Sequence, residues 1–149
     1  MLKSAEIPVL IVPADTVVGR GIKTIVLTTD LEEVQTIPAQ PLYQFLDALP
    51  AKLLVVNVKE KEADKFSPEL GKAITDLRNM LEKYDTSFNY ISGNDIVDET
   101  LDFAKKERAS LIMAVHHKRG LLSGMFHKSI TKKLAYNSSI PLLILPAVK

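Results

Sequence analysis

The chain has 149 residues, a formal net charge of +1 and no cysteine. That length suits one domain with a real core. Near-neutrality argues against a dedicated nucleic-acid binder, and the lack of cysteine removes disulfides, thiol catalysis and cysteine metal sites. Hydrophobic content of 46% and charged content of 25% fit a globular protein. No apolar run is long enough to cross a bilayer, so no membrane partner is expected. Pro8 and Pro13 bracket the short apolar N-terminal stretch, no signal peptide is read, and the expected location is cytoplasmic.

The first feature along the chain is a repeat. Ile7–Ala14 reads IPVLIVPA and Ile140–Ala147 reads IPLLILPA; six of the eight positions are identical and the other two exchange Val for Leu. Residues 1–21 read as a strand and linker left over from a preceding copy of the same domain, with Gly19 and Gly21 as breakers, and residues 22–149 as the domain itself.

Lys23–Thr28 is a β-branched run and a candidate central strand, ending in Thr29-Asp30. Pro38 and Pro41 limit any helix before Leu42; Leu42, Phe45, Leu46 and Leu49 then recur at helical spacing, and Pro50 ends the helix. Leu53–Val58 is continuously apolar, as for a strand buried on both faces. Ser67 and Pro68 open a helix as N-cap and first residue, with Leu70, Ile74, Leu77, Leu81 and Tyr84 as its apolar stripe. Thr86–Ile91 alternates, with Phe88 and Tyr90 on one face, and predicts a half-exposed edge strand. A turn at Gly93-Asn94-Asp95 caps the next helix, in which Ile96, Thr100, Phe103 and Glu107 follow one helical row and Val97, Leu101 and Ala104 lie beside it.

The segment from Ser110 to Pro146 organises the rest. It runs as a buried strand (Leu111–Val115), a polar loop, a helix with Phe126, Ile130 and Leu134 inward, and a last strand (Leu142–Leu145). His116, His117 and His127 are all the histidines of the chain, and no acidic residue occurs between His116 and Lys133. Strand and helix alternate, which predicts an α/β fold: a five-stranded, mostly parallel sheet with helices on both faces. The edge character of Thr86–Ile91 fits the order 3-2-1-4-5, placing Asp30 and His116 at the switch-point crevice where ligands bind.

The usual catalytic signatures are missing: no P-loop, no dinucleotide-binding glycine triplet, no nucleophile elbow and no zinc-protease helix. No nucleophile–base pair is visible, so no enzyme is expected, no catalytic residue is assigned and no metal site is read. The basic loop has two readings. It is a solvated face, or Ser129 near a helix start helps to hold an anion with Lys118, Arg119 or Lys128, while Asp30 accepts from a ribose hydroxyl.

In TIVLTTD (Thr24–Asp30), SGNDIVDETLDFAKKERASLIMAV (Ser92–Val115) and KSITKKLAYNSSIPLLILP (Lys128–Pro146) the chain resembles the universal stress protein family over about Ile22–Pro146. The resemblance implies a five-stranded parallel α/β sheet, dimers, tandem members paired through their last strands and, in one branch, ATP or AMP binding. It matches Asp30 and Val58 to adenosine-contacting positions and Ser129-Ile130 to the phosphate turn. The ATP-binding members share Gly-x-x-Gly, nine residues, then Gly-Ser/Thr. Counted back from Ser129, those glycines fall on Val115, Lys118 and Lys128, so the motif is degenerate and no cofactor is expected, with ATP or AMP as the alternative. Glycine lets backbone amides approach phosphates, whereas β-branched Val115 is stiff and narrows the crevice.

The function expected from the resemblance is a non-enzymatic part in stress response through dimerisation or protein-partner binding; the alternative is an ATP-, AMP- or anion-binding stress protein using the loop 116–129. The N-terminal strand (Ile7, Val9, Leu10, Ile11, Val12) is expected to lie antiparallel on Leu142, Leu143, Ile144 and Leu145, in one chain or exchanged between two.

Overall fold

A computed structural model describes residues 6–17, 19, 21–31, 33–60, 67–117 and 128–148. The elements are β1 (Val9–Ile11), β2 (Thr24–Thr28), a 3-10 turn (Val34–Thr36), α1 (Ala39–Ala48), β3 (Lys52–Glu60), α2 (Pro68–Met80), β4 (Thr86–Gly93), α3 (Ile96–Lys106), β5 (Leu111–His116), α4 (Lys128–Asn137) and β6 (Leu142–Pro146).

One sheet holds all six strands, in the order β1-β6-β5-β2-β3-β4. The sequence reading counted a five-stranded sheet plus an N-terminal strand paired with the last one; β1 does pair with β6, and this makes the sheet six-stranded. Counted from β2, the remaining five run β4-β3-β2-β5-β6, the 3-2-1-4-5 succession. Every pairing among them is parallel, and only β1 on β6 is antiparallel.

The continuous apolar runs follow from having helices on both faces. Successive side chains of a strand point to opposite faces. Ile25 and Leu27 of β2 therefore enter a layer with Leu42 and Leu46 of α1 and Leu77 of α2. Val26, Val56 and Ile112 enter the other layer, with Val97, Leu101 and Ala104 of α3 and Leu134 of α4. Each such side chain, fully buried, contributes about 1.5–3 kcal/mol.

Local signals set the helix ends. Ser67 Oγ accepts from the Leu70 amide at 3.1 Å, with Pro68 as the first helical residue, and Asp95 Oδ1 accepts from the Asp98 amide at 2.9 Å. α3 closes in a Schellman turn, with Ala109 N–H donating to Ala104 O and Arg108 N–H donating to Lys105 O. Arg108 takes φ 54° there.

Two expectations need correction. α1 starts at Ala39, because Pro41 lies in its first turn, where a missing N–H costs no intrahelical bond. Phe88 packs against the first layer, beneath the Arg78 guanidinium at 4.5 Å from the ring centroid, but Tyr90 is 53% exposed. It stands on edge strand β4, beside the cleft that it lines with Leu70 and Ile74 of α2.

Candidate functional site

The carboxyl ends of β2, β3 and β5 converge, as the strand order requires. β2 is pinned to β3 there: the Thr29 amide donates to Val56 O at 3.1 Å, and Asn57 Nδ2 donates to Thr29 O at 2.8 Å. Asp30 follows, 8% exposed. Leu31 then turns the chain at φ 65°, a left-handed conformation disfavoured for a residue with a Cβ, and its amide donates to Thr29 Oγ1 at 3.2 Å. Strain of this kind recurs where a loop is held for function.

β5 ends in His116, which is buried. Its carbonyl accepts from the Ala147 amide at 3.0 Å, and the Val148 amide donates to Thr36 O at 2.8 Å. The segment after β6 thus crosses from the end of β5 to the 3-10 turn. His117 Nδ1 lies 2.9 Å from Glu33 Oε2, within ion-pairing distance, joining the loop after β5 to the turn after β2. Sequence reading missed Glu33; the available hint was an acidic pair, Glu32-Glu33, just after Asp30, in a chain whose basic run follows another strand.

Of the sequence-selected residues, Asp30, Val58 and Val115 are buried at these strand ends. Val115 is 5% exposed and packs in the first layer together with Leu27, Leu31 and Leu145. Its side chain is therefore committed to the core. Lys128 and Ser129 are the first residues of α4, and Ile130 packs against the second layer. Lys118, Arg119, Phe126 and His127 lie outside the described residues, as do the side chains of Lys128 and Ser129.

Two buried polar atoms at this end, Thr28 Oγ1 and Asn57 Oδ1, find no hydrogen-bond partner among the described residues. A shallow cleft of roughly 330 Å³ lies beside Leu31, lined also by Lys59, Leu70, Ile74 and Tyr90. A larger groove of roughly 900 Å³ lies at the opposite end of the sheet, between the linker after β1 and the start of β5. It too contains a buried hydroxyl without a partner among the described residues, Thr16 Oγ1, but no buried carboxyl. No group of three His, Asp or Glu side chains among the described residues suits a metal ion, and no described helix is long and apolar enough to cross a membrane.

Residues 21–146 match the model of the universal stress protein family. No curated protein matches. Among solved structures, the chain is similar to a universal stress protein in complex with cAMP, at 16% identity and TM-score 0.63, covering 85% of this chain and 98% of that one. A universal stress protein from Archaeoglobus fulgidus matches at 19% identity and TM-score 0.66, and a functionally unknown protein from Pseudomonas aeruginosa at 16% and 0.71. These two matches cover 98% of this chain, so they take in β1, but the chain spans only 52% and 54% of their lengths. Another Archaeoglobus fulgidus structure, of a universal stress protein in complex with dAMP, matches at 13% identity and TM-score 0.57, over 85% of this chain and 98% of its own.

Proposed function

We propose that this chain, which belongs to the universal stress protein family, is a non-enzymatic, cytoplasmic stress-response domain whose nucleotide crevice is degenerate. It acts through pairing along its last strand, with a tandem neighbour, a second copy or another protein. The observation that carries the degenerate crevice is that no glycine stands at any of the three motif positions, Val115, Lys118 and Lys128. At the first a branched side chain, packed in the core with Leu27, Leu31 and Leu145, stands where glycine lets backbone amides approach a phosphate. Lys118 and Lys128, at the other two glycine positions, offer flexible, screened charges in place of a backbone cradle.

The tandem reading draws support from coverage. Structures about twice as long match 98% of this chain, while the single-length matches cover 85%. Residues 1–21 are then the end of one repeat, and residues 22–149 the next.

A second reading has its own observation. Unpartnered Thr28 Oγ1 and Asn57 Oδ1, beside strained Leu31, are what a polar ligand at this end would satisfy. In that reading ATP, AMP or another anion sits between Asp30 and the loop 116–129, and two of the similar solved proteins are in complex with adenine nucleotides. Isothermal calorimetry with ATP and AMP, with and without magnesium, separates the two. The degenerate crevice gives no binding heat; micromolar binding that Asp30→Ala abolishes would put the second reading in its place.

A further inference from the structure

The two edges of the sheet are built differently. On one side β1 lies on β6, and prolines at the ends of both strands limit further pairing. On the other, β4 pairs with β3 and with no other described strand. Its eight residues, Thr86–Gly93, include no charged side chain and no proline. Its register on β3 is unbroken, so it has no bulge. Free edges are ordinarily blunted by lysine, proline or a bulge, and β4 has none of them. No residue from Thr86 to Ser92 is buried, whereas Leu53–Val58 of β3 all are.

The hydrogen-bond phase fixes which backbone groups are turned outward. Leu53 N–H donates to Asp85 O at 2.8 Å, and Leu53 stands opposite Thr86. Backbone groups alternate sides along a strand. Ser87, Asn89, Ile91 and Gly93 therefore turn theirs toward β3, where Asn89 Nδ2 also donates to Val55 O at 3.3 Å. Thr86, Phe88, Tyr90 and Ser92 turn theirs outward, and no described strand meets them.

A second β4 engages all of these groups in one register. With the strands antiparallel and a twofold axis at Asn89, Phe88 stands opposite the partner's Tyr90, and Thr86 opposite the partner's Ser92. Both are hydrogen-bonded pairs. Moving the axis one residue either way leaves Thr86 or Ser92 unmatched. The side chains suit the same register. Tyr90 is 53% exposed, and the Arg78 guanidinium lies 4.5 Å from the Phe88 ring centroid. The axis brings the partner's Tyr90 beside that ring, so an arginine and two aromatic rings meet at two symmetric places. Neither strand carries a charge to oppose its copy. We propose that the β4 edge is a docking surface for a second copy of this chain, centred on Asn89. This edge is separate from the last strand, whose outer side β1 occupies.

The full chain tests it in sedimentation equilibrium. The wild type is expected to move with concentration from its 16.5 kDa chain mass to twice that. Tyr90→Lys changes an exposed side chain, so the chain should still fold, and the dimer should be about tenfold weaker. Tyr90→Phe should keep the dimer. Because the chain has no cysteine, introduced thiols report the register. Asn89→Cys lies on the axis in a non-hydrogen-bonded pair, with Cα atoms about 4.5 Å apart, and should link two chains on mild oxidation. Ser87→Cys and Ile91→Cys should each stay unlinked alone and link to each other when mixed. A wild type that is monomeric at every concentration would overturn the proposal, and so would a monomer that takes up an unrelated uncharged peptide as its added strand. A dimer that Tyr90→Lys leaves intact would place association elsewhere, overturning this edge while sparing the last-strand reading. Ser87→Cys chains that link to one another would overturn the register.

Discussion

At the amino end of the sheet, Ser110 Oγ accepts from the amides of Lys23 at 3.1 Å and Thr24 at 3.4 Å, Ser110 N–H donates to Thr24 O, and Lys52 N–H donates to Lys23 O. At the carboxyl end, Asn57 and Thr28 are deeper, at 1% exposure each, yet each leaves an oxygen without a partner among the described residues. Both ends contain a residue with a Cβ at positive φ. Arg108, at the amino end, completes a helix terminus whose two closing hydrogen bonds are made. Leu31, at the carboxyl end, is buried and follows Asp30 directly. The amino end is joined by these bonds, and the odd conformation of Arg108 has a local explanation, although Thr16 Oγ1 in the groove there also lacks a partner among the described residues. The carboxyl end sets two unpartnered oxygens and the strained Leu31 next to a buried carboxyl, and it is the candidate site for that reason.

Paired substitutions break or sharpen that contrast. Asn57→Ala strands the buried Thr29 carbonyl and leaves a hole, and is expected to cost about 2–3 kcal/mol in chemical denaturation. Ser110→Ala, at the half-exposed amino end, leaves amides that water reaches, and should cost about 0.5–1 kcal/mol. Equal losses would remove the distinction between the two ends.

How much of this was legible in the sequence depends on how local the signal is. The caps at Ser67 and Asp95 lie within three residues of the amides they satisfy, so a short window contains them. The strand order was readable because continuous apolar runs and one alternating run imply different burial, and the repeat pointed to the pairing of β1 with β6. Leu31 was not readable: leucine has no preference for positive φ, and only the surrounding chain forces it. The approach of His117 to Glu33 joins residues far apart in sequence and needs the fold. Val115 was read as a side chain narrowing the crevice; the fold shows where its volume goes, into the core beside Leu145.

The two positive-φ residues give a smaller test, with effects of opposite sign. Arg108→Gly relieves the dihedral without emptying any core, and should stabilise by about 0.5–1 kcal/mol. Leu31→Gly relieves the same strain but gives up a buried leucine, worth about 1.5–3 kcal/mol, so a net loss of about 1–2 kcal/mol is expected. A net gain from Leu31→Gly would mean that the strain at the carboxyl end is larger than its packing.

The smallest effect belongs to the surface cluster flanking the amino end, and its signature is pH. The Tyr84 hydroxyl donates to Asp47 Oδ1 at 2.7 Å, Lys83 Nζ lies 3.4 Å from the same oxygen, and the Tyr84 ring stacks on Tyr43. The hydrogen bond from Tyr84, with help from Lys83, holds the Asp47 carboxyl below its usual range, and interaction with Tyr84 and then Asp47 raises Lys83. Partial burial, reinforced by the bond to Asp47, raises the Tyr84 phenol. A lowered carboxylate contributes stability that is present above its unfolded value and is lost as pH falls through the folded one. A raised lysine or phenol contributes stability that is present below its unfolded value and is lost as pH rises through the folded one. Tyr84→Phe should therefore lower the thermal midpoint slightly across neutral pH. The gap from wild type should close below the ordinary carboxylate range and again above the ordinary phenol and lysine ranges. Because Asp47 and Lys83 are solvent-exposed, salt should weaken their ion-pair contribution and leave the Tyr84 hydrogen bond. A gap of the same size at every pH would mean that the Tyr84 hydroxyl acts independently of the Asp47 and Lys83 charges, and the amino end would then owe nothing to this charge cluster.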